Sequence, residues 1–356
     1  MSQARLEALW LTQSQRRGWL AWLLWPASIV YGLLIATRHL LYRSGLKKSH
    51  KLEVPVVVIG NVVVGGAGKT PTVIAVVNHL RAQGWHPGVV SRGHGRQSHR
   101  MVDVQQDTPL SESGDEPALI RLRTGVPVCV SSHRVMAGRA LLAAHPEVDV
   151  LVCDDGLQHL ALQRDLQIVV FDDRRTGNGW LLPAGMLREP WPRSVGATKI
   201  AELVLHQRRE DTPPSPQDPV MGRHVFDAVR RLGQHVQGLA GLQVPLDELR
   251  GAQLTAVAGI ARPVVFFDML RACGLKPSRE LALADHALQS DYEAVLKDTS
   301  RAIVCTEKDA VKLFPMLART PSGQRNQVWA VPLELVPEVA FFKALDDRMD
   351  ALRPRP

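Results

Sequence analysis

Residues 60–71 read Gly60-Asn-Val-Val-Val-Gly-Gly-Ala-Gly-Lys-Thr-Pro71, after the apolar run Val54-Pro-Val-Val-Val-Ile59 and before a helix-like segment, Thr72 to Arg81. Strand, glycine loop and helix in that order form a phosphate-binding loop, in which backbone N–H groups and the helix N-terminus surround a polyphosphate. Gly65, Gly66, Ala67, Gly68, Lys69 and Thr70 are the expected nucleotide contacts. Lys69 would reach the β- and γ-phosphates and the Thr70 hydroxyl would ligate Mg²⁺. The usual pattern has its first glycine at the place of Val63, but the later glycines still permit close backbone approach.

Outward from the loop, apolar runs alternate with helical stretches: Val54–Ile59, Gly88–Ser91, Val126–Val130, Val148–Cys153 and Gln167–Phe171. Near-continuous apolar strands are buried on both faces, so the expected fold class is α/β, a P-loop NTPase-like, mostly parallel sheet. The Pro-rich stretch Asp211 to Pro219 reads as a linker. A second, smaller α/β domain is expected after it, with strands at Leu254–Ile260, Ala302–Thr306 and Val328–Val331 and helices at Pro263–Cys273 and Ala310–Leu317. The expected division is 1–50 for an N-terminal membrane-association segment, 51–218 for the P-loop core domain and 219–356 for a smaller α/β domain closing over the site.

The N-terminal segment carries no charge from Gly18 to Thr37 and is bracketed by Arg16, Arg17 and Arg38. Trp10, Trp19, Trp22 and Trp25 gather at its leading end, and Arg43, Lys47, Lys48 and Lys51 follow it. Tryptophan with flanking cations suits the lipid–water interface, and the positive flank favours the cytosolic side. Membrane association follows, with crossing and lying in the interface both open. A net charge of +8 over 356 residues implies an anionic partner. Few aromatic residues outside the N-terminus argue against nucleic acid, and nothing in the sequence calls for an obligate protein partner. Cys129, Cys153, Cys273 and Cys305 form no CxxC pair and read as reduced core residues; no Cys/His cluster has zinc-ligand spacing.

Val148-Asp-Val-Leu-Val-Cys-Asp-Asp-Gly156 ends a buried strand with two adjacent carboxylates. Beside a phosphate loop, Asp154 or Asp155 would hold the Mg²⁺, directly or through water. Gly114-Asp-Glu-Pro117 reads as a helix start capped by Ser111 or Ser113, with Asp115 and Glu116 in its first turn. Transfer to a hydroxyl also needs a group to accept the proton, a role open to these acids. Ser91-Arg-Gly-His-Gly-Arg96 is a basic loop whose Arg92 could hold an anionic substrate group. Arg188–Glu189, in a turn-rich stretch, reads as a structural pair.

Together the motifs resemble the tetraacyldisaccharide 4′-kinase family. The resemblance rests on GNVVVGGAGKTP (60–71), SRGHGR (91–96), GDEP (114–117), CDDGLQH (153–159), LLPAGMLREP (181–190), ADH (284–286) and TEKDAVK (306–312). It implies an ATP-dependent, Mg²⁺-assisted transfer of the γ-phosphate to the 4′-hydroxyl of a tetraacylated glucosamine disaccharide 1-phosphate. The setting it implies is the cytoplasmic face of the bacterial inner membrane. It also implies a base dyad of Asp115 with His286, catalytic Lys69, and a substrate site drawn from Arg92, Glu116, His159 and Arg188. The chain departs from the family's pattern at His94, Leu283 and Ala287, where a tyrosine, an aromatic residue and a second histidine are common. Rival classes fare worse. A switch GTPase wants Asn-Lys-x-Asp, and Glu307-Lys308-Asp309 has the wrong spacing. A partition-type ATPase carries a lysine where this chain has Val64.

Overall fold

A computed structural model describes residues 15–66, 68–192, 200–213, 224–285, 287–297, 300–320 and 327–353. The first half runs α1 (Trp19–Arg43), β1 (Val56–Gly60), α2 (Lys69–Ala82), β2 (Pro87–Ser91), β3 (Val102–Asp103), α3 (Leu110–Ser113) and α4 (Asp115–Thr124). It continues with β4 (Val128–Val130), α5 (Arg134–Ala144), β5 (Val150–Asp154), β6 (Leu166–Phe171) and β7 (Ala201–Arg209). Then come β8 (His224–Leu232), β9 (His235–Gln237), β10 (Gln243–Pro245), β11 (Leu254–Ala258), α6 (Pro263–Ala272), β12 (Arg279–Ala282) and α7 (Gln289–Leu296). The last elements are β13 (Ala302–Thr306), α8 (Glu307–Ala318), β14 (Val328–Val331), β15 (Leu333–Pro337) and α9 (Val339–Asp350).

The larger sheet has the order β15-β8-β7-β6-β1-β5-β2-β4-β3 and is parallel except at its two edges. Its central strand, Val-Val-Val-Ile-Gly, is buried throughout. Val57 and Ile59 face one core, with Val73, Val76 and Leu80 of α2 and Ile120 of α4. Val56 and Val58 face the other, with Ala137 and Leu141 of α5. Period-two alternation on a strand buried on both sides is what lets one short apolar run serve two layers of helix. Since β1 lies between β5 and β6, the chain's direction of winding reverses there, and the crevice at the carboxyl ends of these strands is the natural ligand position.

The smaller sheet, β10-β9-β14-β13-β11-β12, is parallel through β14, β13, β11 and β12. Strands from both sides of the expected boundary at 218/219 share the larger sheet. β8 pairs parallel with β7, β15 pairs antiparallel with β8, and α9 packs its Phe341, Leu345 and Met349 into the first core. The smaller unit is therefore drawn from within residues 235–331, and the chain returns to finish the larger sheet. The reason is an apolar edge: Phe226 and Ala228 of β8 are covered when α9 is present. Part of the expected linker, 214–219, lies outside the described residues.

Phe341 is fully buried and meets Phe226 edge-on at 5.7 Å between ring centres. Phe341→Ala should cost about 3–5 kcal/mol, read as a lower midpoint for the whole larger unit in urea. A midpoint equal to wild type would show that α9 is not part of that core.

Candidate active site

The phosphate loop leaves β1 at Gly60 and re-enters regular structure at Lys69, the first residue of α2. Gly68 takes φ 72°, in the left-handed region, and a Cβ there would stand 1.9 Å from Gln207 Oε1. Gln207, on β7, donates to the Gly68 carbonyl at 2.7 Å and to Thr72 Oγ1 at 2.8 Å, locking the turn from behind. Ala67 lies outside the described residues.

Parallel register sets Ile59 of β1 beside Asp154 of β5, so the loop and the acidic pair leave the sheet together. Lys69 Nζ stands 3.6 Å from Asp155 Oδ1 and donates to Asn61 Oδ1 at 3.5 Å. Arg188 Nη1 joins the same cluster, 3.2 Å from Asp155 Oδ1 and 3.4 Å from both Asn61 Oδ1 and Gln158 Oε1. The Arg188 guanidinium thus faces Asp155 in the same cluster as Lys69. Burial alone would raise the Asp155 carboxyl, but Lys69, Arg188 and Arg134 outweigh it and hold the group below the usual carboxylate range.

Asp154 goes the other way. Burial first, then the nearby Glu116 and Asp155 charges, push its pKa up. Its Oδ2 accepts from Ser91 Oγ at 2.9 Å, while Oδ1 is buried with no hydrogen-bond partner among the described residues. A buried acceptor left unpaired is costly unless a cation or donor serves it. With Asp155 alongside and the Thr70 hydroxyl at the head of α2, this donor set fits Mg²⁺, which keeps several waters and phosphate oxygens in its own shell. Among the described residues no three His, Cys, Asp or Glu side chains form a self-sufficient metal cage.

Gly114, at φ 82°, turns the chain from α3 into α4, which opens with Asp115 and Glu116. Ser111 and Ser113 belong to α3, and the cap position is Gly114, without a side-chain bond. The smaller unit reaches these acids through α8: Lys312 Nζ is 2.8 Å from Asp115 Oδ2 and Lys308 Nζ is 3.6 Å from Glu116 Oε1. A cavity of about 870 Å³ opens beside them, touching Asp115, Lys312, Thr108 and Met316 but not the phosphate loop. His286 lies outside the described residues.

His159 is half-buried, and burial, reinforced by Arg134, Arg164 and Arg38, lowers its pKa to about 4. It is therefore neutral near pH 7 and offers a hydrogen bond rather than a charge. Arg92 is exposed on the turn after β2. The structure adds Arg174, whose side chain pairs with buried Asp172 at 2.7 Å and donates to the Gly66 carbonyl at 3.4 Å. Arg262, from the smaller unit, holds Asp173 at 2.6 and 3.1 Å. The run Asp172-Asp173-Arg174-Arg175 at the end of a buried strand was the available signal for this cluster, and its weight shows only once β6 is seen beside β1.

A parallel sheet with a glycine loop at its winding reversal, and a paired and an orphaned carboxylate on the next strand, defines a phosphate-loop nucleotide-binding protein. The chain belongs to the LpxK family, described as tetraacyldisaccharide-1-P 4′-kinase, whose model matches residues 20–350. A tetraacyldisaccharide 4′-kinase of Polaromonas naphthalenivorans is 50% identical over 338 residues, covering 94% of this chain and 93% of its own. One from Acidovorax sp. strain JS42 is 49% identical over 348 residues, covering 98% and 95%. The crystal structure of LpxK from Aquifex aeolicus in complex with ATP superposes with a TM-score of 0.76 at 28% identity, covering 94% of this chain and 99% of that one.

Gly68→Ala combines a strained φ with overlap onto Gln207, so loop closure suffers more than folding. ATP affinity, measured by calorimetry, should fall at least about tenfold, while the melting temperature drops by a few degrees at most. Unchanged affinity would mean that the loop does not depend on this turn.

Proposed function

We propose that this chain transfers the γ-phosphate of ATP to the 4′-hydroxyl of a tetraacyl disaccharide 1-phosphate, a step of lipid A synthesis at the cytoplasmic face of the inner membrane. The observation that carries this reading is the meeting of Lys69 with the Asp154–Asp155 pair at one sheet end, in a chain of this family. Lys69 holds the β- and γ-phosphates and offsets charge developing on the transferring group. Thr70, Asp154 and Asp155 would hold Mg²⁺, which would supply positive charge to offset that of the phosphate groups. Asp115, with His286 as its partner, takes the proton from the acceptor hydroxyl. Arg188, already within 3.2 Å of Asp155, has a fork suited to a phosphate oxygen, and neutral His159 suits a sugar hydroxyl. Arg92 and Glu116 complete the substrate site in this reading. The smaller unit, latched by Arg262 on Asp173 and by α8 on α4, excludes water and so limits wasteful hydrolysis.

The N-terminal helix would lie in the membrane interface rather than cross it. It is apolar and long enough to span, yet the folded core grips it along its length. Arg17 donates to the Asn178 carbonyl, Ser28 to that of Leu181, Tyr31 to that of Arg188, and Arg38 to that of Gln158. Contacts from Ser28 to Arg38 run about 15 Å along the axis, and a helix held that way cannot also traverse a hydrocarbon core of about 30 Å. Its opposite face exposes Trp19, Leu23, Val30, Leu33 and Leu34. The grip on Arg188 and Gln158 also brings the lipid surface next to the site.

Two measurements check these readings. Labelled γ-phosphate should pass from ATP to a tetraacyl disaccharide 1-phosphate in detergent micelles, and Lys69→Ala should abolish it. No lipid product with nucleotide still hydrolysed would instead support a nucleotide switch. Leu33→Asp with Leu34→Asp should release the protein from anionic vesicles in a flotation assay with little change in melting temperature, because both side chains are exposed. Flotation equal to wild type would sink the interfacial placement.

A further inference from the structure

TEKDAVK, residues 306–312, carries two lysines four apart, and α8 presents both on one face. Each lysine bridges two chain segments. Lys308 Nζ stands 2.8 Å from Asp285 Oδ1 and 3.6 Å from Glu116 Oε1. Lys312 Nζ stands 2.8 Å from Asp115 Oδ2 and donates to the Ala287 carbonyl at 3.0 Å. One pair of ammonium groups thus ties residues 115 and 116 to residues 285 and 287. These are the residues on either side of His286 in the chain, and the two acids that open α4.

The two lysines are themselves fixed. Asp309, between them, is fully buried; it accepts from Tyr292 Oη at 2.6 Å and from the Gly259 N–H at 2.8 Å. Thr306 caps the helix by accepting from the Asp309 N–H. Glu307 accepts from Arg123 of α4 and from the Leu333 N–H. The start of α8 is therefore pinned to α4, to α7 and to the turn after β11, leaving the lysines little freedom. Both lysine side chains are largely covered, at 14% and 13% exposure. An ion pair shielded from water holds its geometry far better than a surface pair does.

We propose that Lys308 and Lys312 are positioning residues for phosphoryl transfer, setting the spacing between Asp115 and the segment that carries His286. This rests on the reading of Asp115 and His286 as the base dyad. The lysines act by holding Asp115 and Glu116 against residues 285 and 287, and an error of about 1 Å in the place of the proton-accepting carboxylate costs about 10²-fold in rate.

The experiment compares Lys312→Met, Lys308→Met, Asp115→Ala and the double variant Asp115→Ala/Lys312→Met. Each full-length protein is assayed for phosphate transfer to the disaccharide lipid in micelles, for ATP affinity by calorimetry, and for melting temperature. Lys312→Met should lower kcat about 10²-fold, with ATP affinity within about twofold of wild type and no further loss when added to Asp115→Ala. Independent, multiplying losses in the double variant would overturn the proposal, because a purely structural lysine adds its damage whatever Asp115 is. So would loss confined to the KM for ATP. If Lys312→Met melts too low to assay, Lys308→Met carries the test, with the same kcat-only loss expected and a normal kcat contradicting it. Full activity in Asp115→Ala would remove the dyad reading itself. An inactive Asp115→Ala beside a fully active Lys312→Met would remove only the role of the lysines.

Discussion

Buried charge at the carboxyl end of one sheet is the constraint on which this structure depends. β1 and β5 run in register to Ile59 and Asp154, and there an ammonium, a guanidinium and two carboxylates meet in a partly buried cluster. Charges in such a place are tolerable only when paired and hydrogen-bonded, since an uncompensated ion costs several kcal/mol. The fold meets that demand unevenly. Asp155, held at a left-handed φ of 48°, is turned toward Lys69 and Arg188, whereas Asp154 keeps one oxygen on Ser91 and the other without a donor among the described residues. The imbalance leaves one carboxylate paired with lysine and arginine and the other with a buried oxygen that no donor among the described residues serves.

The neighbouring elements then act as supports for this end of the sheet. Gln207 on β7 fixes the turn at Gly68, and Arg174, anchored by Asp172 on the strand beyond β1, lies over the loop carbonyl at Gly66. The N-terminal helix fastens to the carbonyls of Arg188 and Gln158, two residues of the same cluster. The apolar N-terminal helix and the charged site therefore share one scaffold. The smaller unit contributes cations from its own strand and helix ends, Arg262 on one flank and Lys308 with Lys312 on the other. Opposite charges thus face one another between the smaller unit and the larger one.

Much of this was legible along the chain. The glycine loop, the Asp154–Asp155 pair and the Asp115–Glu116 turn are local signals, each a short motif at a strand end or helix start. The strands of the smaller unit at 254–258, 302–306 and 328–331 also follow from apolar runs of the right length. The edges of the larger sheet were harder. β8, β15 and α9 look like parts of the second unit because they follow the linker, yet they complete the first sheet by pairing and packing with residues far away in sequence. Arg188 reads along the chain as half of a pair with Glu189; only the fold brings its guanidinium to Asp155.

The sequence by itself determined the chemistry available: a glycine-rich phosphate loop, an acidic pair at a strand end, an acidic turn that opens a helix and an apolar N-terminal helix. Those depend on neighbours within a few residues, and short-range sterics and hydrogen bonding fix them. Tertiary structure alone decided which charges face one another. The pairing of Lys312 with Asp115, of Arg262 with Asp173 and of Arg188 with Asp155 depends on strand order and on the return of the chain to its first sheet. Electrostatic partners are chosen by distance in space, and no spacing along the chain encodes that distance.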